Sequence, residues 1–110
     1  MDVIRLVQGD SKPTIILTLT DETTGLPIDL TLPSTTAVVK FRAAGSTTLL
    51  STISCQKYTD GSDGKITFDF SGGVLDVDPG MYEGEIEVTF GVYGTQTVYD
   101  TLRFRVRQEF

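Results

Sequence analysis

The sequence has no histidine, no tryptophan and no asparagine, and it has one cysteine, Cys55. Each absence closes off a class of function. Without histidine, the commonest general base and the commonest metal ligand are both missing. A single cysteine permits no internal disulfide and no multi-cysteine zinc site. Without asparagine there is no glycosylation sequon. Positive charge is also scarce: 9 Lys and Arg stand against 15 Asp and Glu, giving a net charge of -6 and a pI near 4.4. That balance argues against nucleic acid as a partner, because binding a polyanion needs lysines and arginines to displace counterions. No apolar run is long enough to span a bilayer, and no basic-then-apolar leader follows Met1. The chain is therefore expected to be soluble, without a membrane partner and without an export signal of its own.

What is present fits one domain over residues 1–110. A chain of this length hides roughly 60–70% of its unfolded surface, enough for one core without staples. Nothing reads as a helix. Apolar residues recur at every second position, interrupted about every ten residues by Gly, Pro, Asp or Ser, which predicts an antiparallel all-β domain. The expected strands are VIRLV (Val3–Val7), TIILTLT (Thr14–Thr20), AVVKFRA (Ala37–Ala43), LLSTISC (Leu49–Cys55), KITFDF (Lys65–Phe70), MYEGEIEVTF (Met81–Phe90) and VYDTLRFRV (Val98–Val106). About seven short strands with this spacing fit an immunoglobulin-like β-sandwich.

One stretch sharpens that reading. Asp78, Gly80 and Tyr82 have the D-x-G-x-Y form of a tyrosine corner, in which the ring enters the core and the hydroxyl bonds back to the backbone upstream. Gly84 stands where antibody domains carry a cysteine, so packing must replace the disulfide. Phe41 is the expected substitute for the missing core tryptophan. Past the corner, Glu83, Glu85 and Glu87 alternate with inward residues, as Arg103, Arg105 and Arg107 do on the last strand. A hairpin around Gly94 is expected to set the three acids opposite the three arginines, neutralising the outer rows and fixing register.

Other candidate sites have simpler explanations. Arg103, Arg105 and Arg107 read as partners of the glutamates and not as a nucleic-acid stripe. Asp60, Asp63, Asp76 and Asp78 are loop carboxylates of the kind calcium prefers, but they lack the alternating D-x-D-x-D-G arrangement, and turn chemistry explains them. Cys55 lies in a strand-like run with no base beside it, the setting of a small core residue. No nucleophile–base pair is present, so no catalytic residue, metal ligand or cofactor site is assigned. Tyr58, Tyr93 and Tyr99 sit beside turns and are candidates for a binding surface.

Several motifs in order resemble a known family. VQGDSKPTIILTLTD is followed by GLPIDLTL, AVVKFRAAG, DPGMYEGEIEVTF and TLRFRVR. This series resembles small bacteriophage structural modules, similar to the N-terminal domain of phage baseplate upper proteins. The resemblance implies an immunoglobulin-like sandwich built into a virion, in the tail, baseplate, neck or head decoration. Its partners would be other virion proteins, in a homo-oligomer or multi-copy ring assembled in the bacterial cytoplasm. Gly9, Asp10, Pro13, Gly25, Pro27, Asp29, Gly80 and Tyr82 carry the match and read as fold determinants. Because the chain stops at Phe110, just after the last expected strand, an adaptor is expected in place of a receptor-binding trunk. The run Val3, Ile4, Leu6 and Val7 is apolar on both faces, as expected of a strand that pairs with a neighbouring subunit's sheet edge. The alternative is a carbohydrate- or receptor-binding adhesion module using loops at one end of the sandwich.

Overall fold

Burial with a period of two runs through the longest strands, and it decides which face of each meets the core. The computed structural model describes residues 3–110. Its strands are β1 (Val3–Val7), β2 (Ile15–Thr18), β3 (Thr35–Ala43), β4 (Leu49–Lys57), β5 (Lys65–Phe68), β6 (Gly80–Phe90), β7 (Thr95–Thr97) and β8 (Leu102–Arg107). On β3 the inward side chains are Thr35, Ala37, Val39 and Phe41. On β6 they are Tyr82, Ile86 and Val88, and on β8 Leu102, Phe104 and Val106. Each large side chain so buried contributes roughly 1.5–3 kcal/mol.

The fold is all-β and has no disulfide. Its strands form one mixed, curled sheet in the order β1-β8-β6-β3-β4-β5-β2, with β7 paired to β6. The curl turns on β4. Leu49 to Cys55 of that strand pair with β3, whereas Gln56 and Lys57 pair with β5. One strand thus carries the ladder around the corner. The curl brings Phe70, just past β5, edge-on to Phe104 of β8, with ring centroids 5.8 Å apart. Five rings form a continuous path through the core: Tyr82, Phe41, Phe104, Phe70 and Phe68.

Two expectations are corrected. The sheet is not purely antiparallel, because β1 runs parallel to β8, with Val3 opposite Arg103 and Val7 opposite Arg107. That pairing covers Leu6, which is 3% exposed. The apolar β1 is therefore satisfied within its own chain, and only its outer edge remains for another subunit. Nor does the last hairpin run unbroken. Gly91 and Gly94, with φ of +63° and +107°, close a tight 3-10 turn at Gly91–Tyr93. β7 then pairs with the end of β6, the chain bends at 98–101, and β8 pairs only with Gly80–Gly84.

Candidate interaction surface

That break in the hairpin reassigns the charges on the outer face of the sheet. An antiparallel register is set by its turn, and this turn places Glu87 opposite Thr97. Of the three glutamates and three arginines expected to face one another, only Glu83 and Arg103 lie opposite each other. Even there the carboxylate is engaged elsewhere: Arg42 Nε of β3 donates to Glu83 Oε1 at 2.8 Å. Lys40 Nζ donates diagonally to Glu87 Oε2 at 2.8 Å, although the residue directly opposite Lys40 is Glu85. The Glu87 hydrogen bond and charge hold the Lys40 ammonium above its ordinary pKa. Glu83 and Glu87 are thus paired with β3, and neither Glu85 nor Glu87 comes opposite an arginine of β8, so the expected facing of acids and arginines does not form there.

The arginines stand apart in consequence. Arg105 has Met81 on one side and Arg5 of β1 directly opposite on the other. Arg107 lies opposite Val7, donates from Nη1 to the Gln108 carbonyl at 2.9 Å, and sits 4.9 Å from the Phe110 ring centroid. Among the described residues, no acidic side chain forms an ion pair with Arg5, Arg103 or Arg105. Arg5, Leu6, Val7, Arg105 and Arg107 line a concave groove of about 520 Å³ along the β1–β8 pair. Val3, beside Arg103, is exposed, and Ile4 is half-buried.

The tyrosines do not converge. Tyr93 ends the 3-10 turn and is 77% exposed, Tyr99 lies in the β7–β8 bend at 79%, and Tyr58 follows β4. Among the described residues none of these three rings contacts another ring.

Turn carboxylates are occupied locally. Asp60 Oδ1 accepts from Ser62 Oγ at 2.6 Å and from Ser62 N at 2.9 Å. Asp63 Oδ1 accepts from Thr59 Oγ1 at 2.8 Å and from Lys65 N at 3.1 Å. These bonds stabilise the ionised form and hold both carboxyls below the usual aspartate range. Among the described residues no group of three or more Cys, Asp or Glu is placed to hold a metal ion. Cys55 borders a small cavity of about 90 Å³ with Thr35, Ala37 and Ile66. Burial pushes its thiol up to about 12, which leaves it protonated and a poor nucleophile at neutral pH.

Arg5 is absent from the sequence-based candidates, and Lys40 and Arg42, though outward by pattern, are not among the expected partners of the glutamates. Their alternation with apolar neighbours in VIRLV and VVKFR marks them as outward. Which strands lie beside them is a matter of long-range pairing that local pattern does not carry. No protein-family model matches the chain, and no curated protein does.

Proposed function

We propose that this protein is a non-enzymatic structural or adaptor subunit of a tailed bacteriophage particle, acting through protein–protein contacts. The ordered motifs from Gly9 to Tyr82 support that reading, as does the tyrosine corner, a feature that immunoglobulin-like sandwiches share. The observation that carries it is the open edge of β1, next to the arginines Arg5, Arg103 and Arg105, which form no ion pair with an acidic side chain among the described residues. An all-β body with an open strand edge suits repeated weak contacts, which become tight assembly when many copies share one ring.

The direct test is mass spectrometry of particles purified from a host carrying the gene. Peptides of this chain should appear at a fixed stoichiometry with the tail and portal proteins. Particles complete in those proteins but lacking this chain would overturn the assignment.

A further inference from the structure

Arg5 and Arg105 are cross-strand partners of like charge in the parallel β1–β8 ladder. Such a pair is destabilising, and it persists in a chain where acids outnumber bases 15 to 9. Next to this face, on β3 and β6, the basic side chains are paired: Arg42 with Glu83 and Lys40 with Glu87. The β1–β8 face gathers Arg5, Arg103, Arg105 and Arg107, and among the described residues Arg5, Arg103 and Arg105 form no ion pair with an acid. It also borders a sheet edge. β1 is the terminal strand of the sheet path. Gln8 N donates to Arg107 O at 2.9 Å, and amide direction alternates along a strand, so the Arg5 and Val3 amides turn away from β8.

We propose that this edge receives an extended acidic segment of a neighbouring polypeptide. The segment is added as a strand to β1, with its carboxylates held by Arg5, Arg105 and Arg107. Only the identity of the neighbour rests on the virion reading; the site stands on the geometry of the groove. Arginine forks match carboxylates in a bidentate way, and half-buried Val7, on the same face as Arg5, gives the groove an apolar patch for aliphatic stems. Arg105 and Arg107 lie two residues apart on one face, about 6.6 Å along the strand. A segment with acids at every second position repeats at the same interval. Main-chain hydrogen bonds supply affinity at such an edge, and side-chain contacts select the sequence. Nucleic acid is the poorer occupant: it cannot pair with a strand edge, and the net charge of -6 repels it at range.

The test uses the full chain, labelled with nitrogen-15 and titrated with a ten-residue peptide alternating Glu and Thr. Two control probes are the same peptide with Lys for Glu and a ten-nucleotide single strand. Shift changes should fall on residues 3–7 and 103–107, and affinity should drop at least tenfold between 50 and 500 mM salt, because salt screens the arginine–carboxylate attraction. Arg5→Glu and Arg105→Glu should each weaken binding at least tenfold, while Arg5→Glu raises Tm by removing the like-charge contact. That opposite movement separates lost binding from lost folding. Shifts elsewhere, equal binding of the lysine peptide, tighter binding of the oligonucleotide, or self-association through this edge would each overturn the proposal. Absence of the chain from particles would remove the virion assignment and leave this titration standing.

Discussion

The Tyr82 hydroxyl donates to the Asp78 carbonyl oxygen at 2.5 Å. The same ring stacks on Phe41, with centroids 5.1 Å apart and planes 8° from parallel. A single side chain therefore closes the turn into β6 and begins the path of rings through the core. Burial, with a smaller contribution from the Asp78 charge, raises the phenol pKa and keeps the hydroxyl a donor. Tyr82→Phe should cost about 1 kcal/mol, the net worth of one hydrogen bond. Tyr82→Ala should cost about 3–5 kcal/mol through the cavity it opens. Urea denaturation with an unchanged m-value measures both; equal losses in the two variants would mean the ring packing contributes nothing.

Gly84 occupies the position of an antibody-domain cysteine, and the space a side chain needs there is already filled. An added Cβ would lie 2.9 Å from both Phe104 Cε2 and Val39 Cγ1, each belonging to a fully buried residue. Gly84→Ala should therefore overpack the core and cost about 1–3 kcal/mol. Thermal melting of the variant checks this, and an unchanged Tm would show that the neighbours yield freely.

The outer charges predict a specific rescue. Arg42→Glu should destabilise the protein, and adding Glu83→Arg should restore part of the loss. The coupling should be a few tenths to about 1 kcal/mol, and salt should screen it. Glu85→Gln should change stability less than Glu83→Gln, because Glu85 faces Lys40 but does not hold its ammonium. A double-mutant cycle by chemical denaturation at low and high salt reads both effects.

Acid should weaken the turns. Asp21, Asp29, Asp60, Asp63 and Asp69 all have pKa values lowered from 3.8, in each case chiefly by a side-chain hydrogen bond, from Gln96, Thr31, Ser62, Thr59 and Ser71 in that order. A carboxyl whose folded pKa is depressed contributes stability that is complete above its unfolded pKa and is lost as pH falls through the folded value. Tm should thus stay level from neutral pH down to about pH 5 and decline below about pH 4. Asp63→Ala should lower the plateau and flatten the decline; an unaltered pH profile would show that its bonds to Thr59 and Lys65 do not matter.

Strand identity was largely legible from period-two patterning, because burial on one face leaves a local record. β1 and β3 through β6 fall where alternation places them, within two residues at either end. The tyrosine corner was legible too, since its spacing is short and its hydrogen bond joins residues four apart. The pairing of charges was not. It depends on a two-residue offset between the β6–β7 and β6–β8 registers, produced by the bend at 98–101, and on β3 being the second neighbour of β6. The arginine groove was hidden for the same reason, since Arg5 and Arg105 are a hundred residues apart in sequence and meet only through a parallel pairing of the first and last strands.

That parallel pairing also sets how the domain would carry tension. β1 and β8 run the same way, so a chain attached before Val3 and one attached after Arg107 depart from opposite poles of the pair. Pulling on both would slide the two strands past each other and load their rungs together instead of peeling them one by one. A module joined to its neighbours in this manner would resist stretching by its unfolding rate, with the β1–β8 seam as the first bond to give.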